Sequence, residues 1–328
     1  MPSRAETWAN LAGNKRSYRA GLTRLPEKHC TERMKAKPQS LAQIGYPAAF
    51  IIPAAIVFIL FFIVPVCMGF FYSFTNWNLR NPVLEFVGFN QFKTMFNDEL
   101  IRSSFINTFI FSGSVTVLQN VAGLVLALIM FQKLKSREFL QTIFFMPYIL
   151  SVLIVGYAFR AIFHPTGVLN NVLATIGLEG LTQDWLNTKY INLMCIILVS
   201  VWMEMGFTMT IYLTGLKNIP SELLEASLID GAGPWERFKE VILPLLAPAV
   251  TINVLISFIA SMKVFELVLA LTKGGPGHMT EVINGVVFRM FGRGQLAYGT
   301  AVSVVLFLII AVLSVFILKY FRRKEIDV

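Results

Sequence analysis

NIPSELLEASLIDGAGPWERFKEVILPLLAP, residues 218–248, lies between two long apolar runs and holds acids, glycines and prolines in a fixed order. Pro220 and Ser221 are placed to open a helix, and Glu222 puts an acid in its first turn. A short helix over about 221–230 follows. Gly231 and Gly233 permit a turn, and Pro234, at a first helical position, starts a second helix with Trp235, Phe238, Val241 and Ile242 at helical spacing. Neither helix is long enough to span a membrane, and Pro244 and Pro248 mark the entry to the next apolar run. The reading is two helices in an L at a membrane face. By periodicity alone the pair also reads as an interfacial amphipathic element.

The rest of the chain supplies the membrane. Of its 328 residues, 55% are hydrophobic and 14% charged, against about 25% charged in soluble domains. A hydrocarbon core needs about 20 consecutive, mostly apolar helical residues. Six stretches qualify, at 46–73, 105–131, 139–162, 191–215, 246–271 and 298–319. Backbone polar groups in lipid must be satisfied internally, so the predicted class is all-α, a polytopic membrane protein with six transmembrane helices. Neither an internal inverted repeat nor a broken helix is read in them.

Charge sets the expected orientation. Nineteen of the 28 Lys and Arg fall in the N-terminal tail, the 132–138 and 216–243 loops and the C-terminus, and seven in the opposite loops. Basic loops stay cytoplasmic, which places both termini and the L-shaped loop there. The expected organisation is a basic tail at 1–44, a transmembrane domain at 45–320 and a short tail at 321–328. The first tail lacks the apolar run of a signal peptide. It reads as an extension drawn to anionic membrane lipid, with no nucleic-acid partner, since no aromatic or glycine pattern accompanies its charge.

Several chemistries are not expected. Cys30, Cys67 and Cys195 share no loop, which argues against a disulfide framework. His29, His164 and His278 lack metal-ligand spacing. No Gly-Lys dipeptide occurs, so a phosphate-cradling GxxxxGK[ST] loop is absent. No cofactor or metal is expected in this chain.

The quoted stretch resembles the EAA signature of ABC importer permeases: E-A-A/S, three residues, a glycine, then about nine residues to an apolar-L-P. Here those positions are Glu225, Ala226, Ser227, Gly231, Ile242, Leu243 and Pro244. IDGAGPWERFKEVILPLL is similar to the sugar-importer branch, as are GLKNIP (215–220), LTKGGPGHMTEV (271–282) and AYGTAVSVVLFLI (297–309). The resemblance covers about 45–320. It implies a type I ABC importer permease in a bacterial inner membrane, whose loop at 217–244 docks in a cytoplasmic ATPase. The implied partners are a second homologous permease, two ATPase subunits that bind ATP and Mg, an extracytoplasmic solute-binding protein and a carbohydrate. Small Ala226, Ser227 and Ala232 would allow close approach, Glu225 and Asp230 would meet basic or hydrogen-bonding groups, and Gly231 would turn between the arms. Leu224, Trp235, Phe238 and Val241 would form the apolar contact face.

For the substrate path, Asn253, Ser257 and Ser261 recur every four residues on one face of the fifth apolar run. They suit sugar hydroxyls, and equally suit hydrogen bonding between helices. The resemblance adds Met205, Gly206 and Met209, the methionines standing where sugar stacking favours an aromatic. Glu204, Lys263 and Glu266 are ionisable groups inside spans. Lys263 and Glu266 are spaced to pair, and Lys263 or Arg160 facing the cavity would favour an anionic sugar. A stand-alone secondary transporter or channel driven by an ion gradient stays open, and broken helices with an inverted repeat would mark it.

Overall fold

The structure is a computed structural model that describes residues 51–80, 83–132 and 135–323. The expected tail at 1–44 lies outside the described residues, as do 324–328. By contacts the chain divides after Val64 into two units. In the first, the described residues from Ile51 are helical and apolar, with a π turn at Ile59–Ile63 and side chains open to the surroundings. They begin helix α1, Ile51–Tyr72.

The second unit holds α2 (Asn90–Asn97), α3 (Glu99–Phe131), α4 (Arg137–Ile149), α5 (Val152–Ile162), α6 (Val168–Thr175) and α7 (Ile191–Lys217). The two-helix loop contributes α8 (Ser221–Ile229) and α9 (Pro234–Leu245), and α10 (Ala247–Met262), α11 (Glu266–Leu271), α12 (Ile283–Gly292) and α13 (Leu296–Arg322) follow. Among the described residues the β pairing is a single bridge from Thr75 to Phe86.

Among the described residues, helices α1, α3, α7 and α13 are each long and apolar enough to cross a membrane, and the number is six when each of two bent pairs counts as one span. The bends correct the expectation of unbroken helices. The stretch at 139–162 becomes α4 and α5, which meet at 94° through extended Leu150 and Ser151. Pro147, two residues before the end of α4, has no N–H to donate and crowds the preceding turn. The stretch at 246–271 splits as well. Helix α10, 16 residues long, reaches roughly 24 Å, short of a hydrocarbon core of roughly 30 Å. It meets α9 at 70°, and at its other end Lys263–Phe265 leave the helix before α11 begins. Broken spans therefore do not separate a secondary transporter from an importer in this chain.

Helices α3, α7 and α10 form the centre. Gly123 and Gly206 let backbones approach: a Cβ at 123 would collide with Thr208, and one at 206 with the Phe144 carbonyl of α4. A polar seam runs between the three helices. Gln119 Nε2 donates to Thr208 Oγ1 (2.8 Å), Asn120 Nδ2 to Ser257 Oγ (2.8 Å) and Tyr212 OH to Asn120 Oδ1 (2.7 Å), while the Ser112 and Ser261 hydroxyls meet at 2.8 Å. Small residues with paired hydroxyls and amides are what close helix packing in lipid requires.

Candidate functional site

The L-shaped loop folds as its sequence directs. Helix α8 ends in a Schellman turn: Gly231 N–H donates to Leu228 O (3.2 Å) and Ala232 N–H to Ser227 O (3.0 Å). Gly231 sits at φ +79° with open space where a Cβ would be. The constraint there is backbone strain alone. Gly233 is extended at φ −66°, a conformation any residue adopts, so only the first of the two expected hinge glycines needs to be glycine. The Gly233 N–H donates to Glu236 Oε2 (3.1 Å), which fixes the start of α9. A π turn at Arg237–Ile242 then precedes Pro244; widening the helix by one residue is a usual response to disrupted i to i−4 bonding.

The loop has an outer and an inner side. Ile229 is 86% exposed and Trp235 71%, with Leu223, Leu228, Glu225, Ala226 and Asp230 exposed beside them and Ala232 half-buried. Ser227 is buried, and its hydroxyl donates to Leu224 O (2.7 Å), which puts it on the inner side. Leu224 and Phe238, expected on the contact face, instead pack on a core of Met130, Tyr212, Leu216, Ile219, Ile242 and Leu246. The loop is thus rooted in α3, α7 and the start of α10. Trp235 lies against Phe238 with ring centroids 5.7 Å apart.

A cleft of about 490 Å³ opens where α10 breaks. Phe111, Phe265, Phe288 and Phe291 wall it, with Glu204, Lys263 and Glu266 on its lining. Asn284 Nδ2 donates to the Lys263 carbonyl (2.8 Å), taking up a backbone group that the break frees. Phe265 and Phe288 lie 5.1 Å apart. No ion pair joins Lys263 to Glu266 among the described residues. The expected pairing needed one continuous helix, and the two residues lie on either side of the break. Arg160 is exposed in the last turn of α5 and does not line the cleft.

The expected sugar stripe is placed differently. Asn253, Ser257 and Ser261 are buried. Asn253 Nδ2 donates to Thr208 O (3.3 Å), and the two serines belong to the polar seam. Of the three, only Ser261 borders the cleft. Gly206 serves the α4–α7 approach, Met209 is fully buried in the core beneath the loop, and Met205 is half-buried away from the cleft lining. The sequence reading missed Phe265, Phe288 and Phe291; the spacing of three between 288 and 291 in an amphipathic run was the available signal.

Residues 271–282 tie the cleft to α3. Thr272 and Thr280 hydroxyls meet at 2.8 Å, and buried Glu281 pairs with Arg289, with His278 Nδ1 3.5 Å from its carboxylate. Gly274, at φ +93°, and Gly285 abut that carboxylate so closely that neither has room for a Cβ. Asn107 Nδ2 donates to Met279 O and Glu281 O, both at 3.0 Å, and Thr108 Oγ1 accepts from Ile283 N (3.1 Å). The glycine-rich motif thus holds α11 and α12, two walls of the cleft, against α3.

Residues 119–326 match the family described as binding-protein-dependent transport system inner membrane component. The probable starch degradation products transport system permease protein AmyD of Thermoanaerobacterium thermosulfurigenes is 35% identical over 85% of this chain and 94% of its own length. The multiple sugar-binding transport system permease protein MsmF of Streptococcus mutans is 31% identical over 84% of this chain and 95% of its own. Among solved structures, a chain of a bacterial ABC transporter involved in the import of the acidic polysaccharide alginate matches with a TM-score of 0.74 and 26% identity, covering 84% of this chain and 94% of that one.

Proposed function

Because the chain belongs to the binding-protein-dependent transport system inner membrane component family, a multi-pass permease of ABC importers and not itself an enzyme, we propose that it contributes the cleft at the α10–α11 break to the path of a carbohydrate. The lining of that cleft carries the reading. Phenyl faces suit the C–H faces of sugar rings, while Glu204, Glu266 and Lys263 supply acceptors and donors for hydroxyls. Relatives named for starch degradation products and for multiple sugars support the substrate class.

The partners follow from the family: a second permease to close the cleft, ATPase subunits that hold ATP and Mg, and a solute-binding protein of the kind seen with the alginate importer. The proposed orientation places the α8–α9 loop and both termini in the cytoplasm of a bacterial inner membrane. There the exposed Ile229 and Trp235, flanked by Glu225 and Asp230, meet the ATPase. Closure of the ATPase pair would move α3, α7 and α10 through the core that roots the loop.

Co-purification tests the docking face. Trp235→Ala and Ile229→Asp should each weaken ATPase retention while leaving the chain in the membrane, since truncating an aromatic anchor at an interface can cost about 2 kcal/mol or more. Retention equal to wild type in both variants would remove the docking role from this loop.

A further inference from the structure

At the end of the bundle opposite the α8–α9 loop, the segment after α1 builds a second, polar cavity of about 400 Å³. Asn78, Gln91 and Thr94 line one side, Arg293 and Gln295 the other, and Trp77 and Tyr298 supply its rings. One of its two charged groups is already engaged. Asp98 Oδ1 accepts from Leu100 N (2.9 Å) and Ile101 N (3.4 Å), and Oδ2 from Tyr298 OH (3.0 Å). Asn78 Oδ1 accepts from Arg80 N (3.0 Å) and Gln91 Nε2 donates to Thr75 O (3.0 Å). The donors left over are Asn78 Nδ2, the Gln295 amide and the exposed Arg293 guanidinium, which no carboxylate pairs among the described residues. These three donors share a lining with the Asp98 carboxylate, and the Arg293 guanidinium itself makes no ion pair among the described residues.

The same segment is strongly apolar on its surface. Phe71, Phe86, Phe89 and Phe96 are exposed, and Phe74 clusters with Phe86, Phe89 and Phe92 at centroid distances of 5.3–6.3 Å. Phe92 and Phe96 fall on one face of α2, with Phe89 at its N-cap, while Met95 turns inward to the core. The cavity lies between the end of α1 at Tyr72 and the start of α13 at Leu296. That is the level at which aromatic rings sit in a membrane interface.

A polar cavity with an unpaired guanidinium beside an already hydrogen-bonded carboxylate, and an exposed phenyl surface on one segment at the ends of two spans, match an amphiphile whose head carries a phosphate. We propose that a phospholipid of the leaflet opposite the coupling loop binds here, its phosphate against Arg293, Asn78 and Gln295 and its acyl chains beside the phenylalanines. The bound lipid ties the ends of α1 and α13 to α2.

Native mass spectrometry of the intact transporter, offered equal phosphatidylglycerol and phosphatidylcholine, tests it. Wild type should retain phosphatidylglycerol preferentially, and Arg293→Gln should cut that preference about fivefold, the effect of one basic side chain at an anionic surface. Arg293→Lys should keep most of it, and Phe86→Ser should lower retention of both lipids. Arg293 and Phe86 are exposed, so these variants do not open the core. An unchanged preference in Arg293→Gln overturns the proposal. So does displacement of the lipid by maltotetraose, which would make the cavity a sugar subsite, or by soluble glycerol phosphate as effectively as by lipid. Cross-linking of a cysteine at 86 to another subunit would make the surface a protein interface and equally overturn it.

Discussion

At Gly231 the backbone turns through φ +79° in open space, which separates two causes that usually act together. A bulkier side chain meets no obstacle, but a β-branched residue in the left-handed region costs about 1–2 kcal/mol, whereas asparagine tolerates it. Gly231→Val should therefore lower transport-coupled ATP hydrolysis sharply while membrane insertion is unchanged, and Gly231→Asn should retain most of it. Equal coupling in the two variants would show that the Schellman turn is not what aligns the arms. The turn was readable because Gly, Pro and the EAA spacing are local signals. Local chemistry could not tell Gly231 from Gly233, whose extended φ of −66° is set by the Glu236 carboxylate reaching back to its N–H. Nor could it turn Ser227 inward, because the side a short helix buries depends on the core it meets.

The break between α10 and α11 teaches the same lesson at the scale of elements. No proline or glycine marks residues 263–265, and the segment reads as one apolar span. The break is held from outside, by Asn284 on the Lys263 carbonyl and by the 271–282 loop that docks α11 and α12 on α3. Its consequence is that the cleft is lined by Lys263, Glu266 and Phe288, while Asn253 and Ser257 spend their polar groups on α3 and α7. With Cys30 and Cys67 replaced by serine, a cysteine at 288 or 263 should react with a water-soluble thiol reagent in the assembled transporter and be protected by substrate. Cysteines at 253 and 257 should stay unreactive. Rapid labelling at 257 together with silence at 288 would move the path back to the serine stripe. Asn284→Leu should strip the Lys263 carbonyl of its partner, loosen the break and lower uptake, while the loss in stability stays within about 0.5–1.5 kcal/mol, the net worth of one hydrogen bond.

Over the whole molecule, the spans and the all-α class were legible because length and hydropathy govern insertion in lipid. The bends, the seam and the aromatic segment at 71–97 were not, since they depend on which helices meet. The central claim is that this permease is driven from the cytoplasm by an ATPase seated on α8 and α9. Uptake of labelled oligosaccharides into proteoliposomes, made with the complex that co-purifies with the chain, tests it most directly. Uptake should require ATP on the side of the α8–α9 loop together with the solute-binding protein, and should fall with Trp235→Ala. Uptake sustained by a proton or sodium gradient without ATP, and unaffected by Trp235→Ala, would contradict the account.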